Sequence, residues 1–206
     1  MKSKLIILLL GILSPILMKA QLPEKAEDIS PLLVGETIPD VVLKSPANSN
    51  HNFSSIVAEK PTVLLVYRGG WCPFCNAHLS EIQAVQTDVM TLGYQIVAVS
   101  PDSPEKLRAT ENKDELHYRL YSDGDGEFIQ SLGIAFKAPE NYSGILNEFS
   151  GGVNEGLLPV PAVFVVDQSG TILFEYINPN YKTRLSAKLL LAVLSNLDVN
   201  SSNQSK

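Results

Sequence analysis

Residues 62–75 read TVLLVYRGGWCPFC, and the architecture of the chain can be worked outward from this stretch. Its first six residues, 62–67, form a continuous apolar run after Pro61, the mark of a strand buried on both faces. Gly69-Gly70 interrupts the run. From Cys72 onward Leu79, Ile82, Val85, Val89 and Leu92 recur at three- and four-residue steps. That spacing predicts an amphipathic helix over 72–92, closed by Gly93 in the C′ position. Further along, QIVAV at 95–99 reads as a second buried strand. Ser103 and Pro104 open another helix as N-cap and first helical residue. Residues 118–121 predict a short strand, 127–132 a short helix, and PAVFVV at 161–166 a third strong strand. A turn at 167–170 returns the chain as a hairpin arm over 171–176. An amphipathic helix over 184–197 closes the pattern. The fold class is therefore α/β. The first crossovers are expected to be parallel and right-handed, with the hairpin adding antiparallel edge strands to a mixed sheet that carries helices on both faces.

The chain has 206 residues, 45% of them hydrophobic and 18% charged, with a net charge of −6. This composition suits one domain with a real core and excludes collagen-like, wholly disordered and multi-pass membrane classes. The acidic balance argues against nucleic-acid binding, which needs clustered Lys and Arg. Residues 1–20 have the layout of a cleavable signal peptide. Lys2 and Lys4 precede an apolar stretch over 5–13, and Ala20 offers a cut before Gln21. Ser14 and Pro15 leave the apolar stretch short of the roughly 20 residues a membrane span needs. Removing this segment with its three lysines takes the net charge from −6 to −9. The expected protein is secreted or periplasmic, with no stable membrane anchor after cleavage. Its expected organisation is a signal peptide at 1–20, a linker or arm at 21–33, a domain at 34–197 and a flexible tail at 198–206.

Two cysteines are too few for a disulfide-stapled mini-protein or a four-cysteine zinc site. Their placement carries the chemistry instead. Cys72 and Cys75 flank Pro73-Phe74 where a buried strand hands over to a helix. Free N–H groups and the positive dipole end at a helix start stabilise a thiolate. In such a CxxC pair the thiol pKa falls from about 8.5 into a range of roughly 3.5–7.5. Cys72 is the expected nucleophile and Cys75, one turn on, the resolving thiol. Two other readings of the pair remain: a short structural disulfide clip, or a metal site completed by His78. Val160-Pro161 directly precedes the third strand. Pro161 is a candidate cis peptide that would turn backbone groups toward Cys72, the alternative being an ordinary trans proline at a strand start, which chemistry alone favours.

The run 66–75, the later LPVPAVF at 158–164, the turn 167–170 and the opening VGETIPD at 34–40 together resemble the thioredoxin superfamily. The closer resemblance is to its redoxin branch, the alkyl hydroperoxide reductase/thiol-specific antioxidant group of peroxiredoxin-like proteins. It spans residues 34–194 and implies a thioredoxin-like fold and a thiol-dependent redox enzyme. It also implies that Pro161 is the cis proline, and that no cofactor or metal is needed. Implied partners are a peroxide or disulfide substrate and a thiol reductant protein. Two departures stand out. Family members place a threonine three residues before the reactive cysteine, where this chain has Gly69. They also use an arginine on the later strand, where it has Pro161 and Ala162. Arg68, four residues before Cys72, is a candidate for steadying a thiolate or a developing oxyanion. Val160 and Trp71 complete the substrate-positioning set.

Three functions thus remain: a peroxiredoxin-like enzyme, a thiol–disulfide oxidoreductase that keeps exported proteins reduced, and a binding module with a structural clip. Residues 123–127 (DGDGE) lack the twelve-residue pattern of a calcium loop and read as a turn. The basic residues 182–184 are too few to imply nucleic acid. Residues 135–158 form an insertion that either lids the cysteine site or makes an interface.

Overall fold

The computed structural model describes residues 22–197. The expected signal segment, Gln21 and the expected tail lie outside the described residues. In chain order the elements are β1 (Val42–Lys44), β2 (Asn50–Asn52), α1 (Phe53–Val57), β3 (Thr62–Val66), α2 (Pro73–Gln83) and α3 (Gln86–Thr91). Then come β4 (Gln95–Ser100), α4 (Pro104–Lys113), β5 (Arg119–Ser122), α5 (Glu127–Ser131) and β6 (Ala135–Lys137). The chain continues through α6 (Ser143–Ser150), β7 (Leu157–Pro159), β8 (Ala162–Val166), β9 (Ile172–Ile177) and α7 (Ala187–Leu194). Seven strands form one mixed sheet in the order β2-β1-β5-β4-β3-β8-β9, and β6 pairs with β7 beside it.

β3 lies between parallel β4 and antiparallel β8, and every one of its residues is buried. Its side chains alternate between two cores. Leu64 and Val66 pack with Phe53, Phe128 and Phe164 on one face. Val63 and Leu65 pack with Leu79, Ile82, Leu107 and Leu190 on the other, and both cysteines belong to this second core. The expected α/β class, with helices on both faces, is what the chain forms. Ser103 caps α4 as expected, its side chain accepting from Lys106 N.

Five features differ from the sequence reading, besides the last helix, which spans 187–194 where 184–197 was expected. The helix expected over 72–92 is two helices. Val85 leaves helical geometry (φ −111°, ψ 10°), and Gln83 braces the break by donating to Gln86 and accepting from His117 N. Val89 is buried as a result, while Leu92 is exposed. The expected edge hairpin has only one arm at the edge: β8 inserts beside β3, and β9 alone is terminal. β1, β2 and α1 gave no periodic signal. β2 is a polar edge strand (Asn-His-Asn) and α1 spans just five residues. The expected linker is packed down, for Leu32 N bonds to Leu132 O and Pro23 O accepts from Lys137 N. Leu22, Ile29 and Leu32 pack against the first core. Finally, the Val160–Pro161 bond is trans, as is every other peptide bond among the described residues. Val160 N bonds to Ile134 O at 2.9 Å and Ala162 already pairs with Val66, so the backbone runs through Pro161 without reversing. Trans is also the isomer that X-Pro bonds favour, by roughly 0.5–1 kcal/mol.

Candidate active site

Cys72 is the N-cap of α2, just beyond the carboxyl end of β3, and Pro73 occupies the first helical position. Proline suits that position because its missing N–H has no intrahelical partner to lose. The carbonyl of Cys72 accepts from Cys75 N (3.0 Å) and Asn76 N (3.1 Å), so the first turn closes on the cysteine itself. Both cysteines are free, and each is only 1% exposed. A hydrogen bond from the Cys75 thiol is the main influence that brings the Cys72 pKa down from 9.0 to about 6. Burial opposes it, while the N–H groups of Cys75 and Phe74 and the charge of Arg68 assist. Cys75 moves the other way. Donating to Cys72 and lying buried push its thiol well above the usual range. The pair is thus divided into a sulfur that ionises readily and one that holds its proton, the division a nucleophile and a resolving thiol require.

The turn before Cys72 explains the missing threonine. Gly69 has φ +138°, and a Cβ there would lie 2.4 Å from Trp71 Nε1 and 2.6 Å from Asp102 Oδ1. No larger residue fits. Asp102, 1% exposed, accepts from Gly70 N at 2.7 Å and so fixes the turn. Burial raises its pKa from 3.8 to about 7. Sequence reasoning passed over Asp102, although a signal existed: it lies two residues beyond β4, whose carboxyl end adjoins that of β3. The carboxyl ends of neighbouring parallel strands are where α/β folds assemble their sites.

Arg68 is 4% exposed, and its Nε has no hydrogen-bond partner. Aromatic rings surround its guanidinium instead: Tyr181 at 4.3 Å, Tyr142 at 4.8 Å and Trp71 at 5.0 Å from the guanidinium carbon. Each ring face offsets part of the desolvation of the cation. Tyr142 comes from the 135–158 insertion, which therefore does reach the cysteine site; its ring centroid lies 5.5 Å from that of Trp71. Arg68 also lines a cavity of about 280 Å³ with Phe136, Tyr142, Val160, Pro161 and Tyr181. Of the residues expected from sequence, Cys72, Cys75, Trp71 and Arg68 come together at one turn. Val160 and Pro161 face the cavity that shares Arg68. Tyr142, Tyr181 and Arg184 were missed as site residues: the two tyrosines lie on connecting segments with no periodic signal, and Arg184, read as the first residue of the last helix, lies ahead of α7, which begins at Ala187. Arg184 places Nη2 3.6 Å from Cys75 Sγ.

His78 completes no metal site. Its ring is buried, Nε2 bonds to the Leu185 carbonyl at 3.0 Å, and burial lowers its pKa. Among the described residues no three His, Cys, Asp or Glu side chains are grouped to hold a metal ion. Asp123, in the DGDGE turn, instead accepts from Phe128 N (2.8 Å) and Ile129 N (3.0 Å) at the start of α5.

Known proteins share the family signature and the fold. The AhpC/TSA family model matches residues 34–174. Peroxiredoxin bcp1 of Schizosaccharomyces pombe is 26% identical over 120 residues, covering 58% of this chain and 61% of that protein. Peroxiredoxin Bcp of Escherichia coli K12 is 22% identical over 155 residues, 75% of this chain and 90% of that one. The crystal structure of reduced Prx3 from Vibrio vulnificus in complex with hydrogen peroxide superposes with a TM-score of 0.69 at 20% identity. The match covers 79% of this chain and 99% of that one.

Proposed function

The chain belongs to the AhpC/TSA family, and from that premise we propose that it is a thiol-dependent peroxidase of peroxiredoxin type, an oxidoreductase worked by Cys72 and Cys75. The observation that carries this reading is Cys72 at the N-cap of α2, its pKa brought down to about 6 by the thiol beneath it. At pH 7 such a group is about 90% thiolate, against about 1% for a thiol at 9. The thiolate attacks one peroxide oxygen; the S–O bond forms as the O–O bond breaks, and the departing alkoxide or hydroxide takes up a proton. Arg68, in its aromatic cage beside Cys72, offsets the charge that moves from sulfur to oxygen. Cys75 then attacks the Cys72 sulfenic acid, giving a disulfide and water. A dithiol partner protein returns both sulfurs to the reduced state by disulfide exchange. No metal or cofactor enters the cycle. The basic and apolar pattern of residues 1–20 supports export of the enzyme, with cleavage after Ala20.

Stopped-flow mixing of the reduced protein with hydrogen peroxide tests the reading, because the single tryptophan, Trp71, adjoins Cys72 and reports on it. Micromolar peroxide should change its emission rapidly in the wild type and not in Cys72→Ser. A Cys72→Ser variant that still consumes peroxide at the wild-type rate would remove the peroxidase reading. Rapid reduction of insulin disulfides with slow peroxide oxidation would replace it with a disulfide reductase.

A further inference from the structure

Resolution asks the less acidic sulfur to act as a nucleophile. Cys75 is 1% exposed, and in the reduced protein its proton is held against the Cys72 thiolate. One cationic side chain reaches it. Arg184 extends from the segment between β9 and α7 and donates from Nη2 to Cys75 Sγ at 3.6 Å, across 109 residues of sequence. Its Nη1 donates to the Thr183 carbonyl at 3.3 Å. Among the described residues no carboxylate forms an ion pair with it. The segment is fastened to the helix that carries the cysteines. His78 Nε2 donates to the Leu185 carbonyl at 3.0 Å, and Ala187 N donates to Glu81 Oε1 at 2.8 Å. Leu185 itself is buried in the second core. The segment that carries Arg184 is therefore fixed against α2, while the Arg68 guanidinium is held separately by the rings of Trp71, Tyr142 and Tyr181.

We propose that Arg184 is a catalytic residue of the resolution step, its guanidinium carrying the negative charge of Cys75 while that sulfur attacks oxidised Cys72. The proposal rests on the Cys72/Cys75 peroxidase reading and adds a residue that the reading does not require. Once peroxide has turned Cys72 into a sulfenic acid, the charge that opposed ionisation of Cys75 is gone and Arg184 remains. Cys75 gives up its proton, and its electron pair forms the S–S bond as the S–O bond of Cys72 breaks. The departing hydroxide combines with that proton as water. Peroxide has already supplied the oxidising equivalents, so no further oxidant enters. Arg68 and Arg184 divide the cycle between them: one cation serves the peroxide step, the other the disulfide step.

The test is a single turnover of the full chain with hydrogen peroxide in wild type, Arg184→Met and Arg184→Lys. Trp71 emission follows Cys72 oxidation, and acid quenching with mass spectrometry follows the disulfide. Loss of one charge-assisted hydrogen bond to the attacking sulfur should slow disulfide formation at least about tenfold in Arg184→Met. Cys72 oxidation should change less than about twofold, since Arg184 does not touch that sulfur. Dimedone should then trap Cys72 sulfenic acid in Arg184→Met, and Arg184→Lys should recover part of the rate by restoring the charge. Disulfide formation at the wild-type rate in Arg184→Met would overturn the proposal, and so would equal slowing of both steps. If wild-type protein oxidises Cys72 but never forms the Cys72–Cys75 bond, the underlying reading fails instead.

Discussion

Replacing Cys75 by alanine removes the thiol whose hydrogen bond contributes most to holding the Cys72 pKa near 6. A hydrogen bond to a charged group is worth about 1.5–3 kcal/mol, and one pKa unit corresponds to about 1.36 kcal/mol. The loss therefore moves the Cys72 midpoint up by about 1–2 units, to between about 7 and 8. The backbone N–H groups and the Arg68 charge remain, so the midpoint should stay below the ordinary 9.0. At pH 7 the thiolate fraction falls from about 90% to between about 50% and 10%, and the peroxide rate falls with it. Cys75→Ser keeps an O–H donor at the same place and should retain most of the depression. The assay is thiolate absorbance at about 240 nm from pH 4.5 to 9.5, paired with the rate of Cys72 alkylation by iodoacetamide. A midpoint that moves less than about 0.3 units in Cys75→Ala would refute the reasoning. So would a serine variant that behaves as the alanine one does.

Three further outcomes follow from the same turn. Arg68→Met should raise the Cys72 midpoint by less than Cys75→Ala does, because the arginine's charge acts on Cys72 less than the thiol hydrogen bond; the absorbance titration that shows the reverse order would contradict this. Gly69→Ala should cost about 1–3 kcal/mol, since its φ of +138° and the contacts at 2.4 and 2.6 Å admit no Cβ; a urea midpoint equal to wild type would be the contrary result. Asp102 has its carboxyl pKa raised from 3.8 to about 7 by burial, so the native state keeps a proton that the unfolded chain releases. Its contribution to stability is full below pH 4 and is lost as pH rises through 7. Asp102→Asn should therefore gain on wild type in urea unfolding between pH 4.5 and 7, and a difference that does not vary with pH would contradict the assignment.

How far sequence carried the account depends on where each signal lives. The strand–turn–helix at 62–75 was legible because burial on both faces and the helical spacing beyond Cys72 are local patterns. The break at Val85 was not, because three- and four-residue steps continue across it. What decides it is Gln83 bonding to His117 N, a tertiary contact. The order of the last two strands was equally invisible. A hairpin signal fixes that β8 and β9 pair, but says nothing of which one meets β3. At the site, Cys72 and Cys75 announced themselves by spacing, and Arg68 by its four-residue distance from Cys72. Arg184 lies 109 residues from Cys75, and the sequence reading placed it in a small basic cluster at the start of the last helix, with nothing local to link it to the cysteines. Tyr142 and Tyr181 reach Arg68 from two connections without periodicity. The proline expectation failed for a different reason. It was inferred from a resemblance, whereas the strand pairing on either side of Pro161 runs the backbone straight through a trans bond.

The central claim is that Cys72 and Cys75 form one peroxide-driven dithiol–disulfide couple. Its most direct test is peptide mapping by mass spectrometry after the reduced protein meets one equivalent of hydrogen peroxide. The account predicts a peptide carrying Cys72 and Cys75 that is lighter by two hydrogens, formed in wild type and in neither Cys72→Ser nor Cys75→Ser. Cys72 recovered as a sulfinic acid beside a reduced Cys75, with no linked species at any time point, would contradict it.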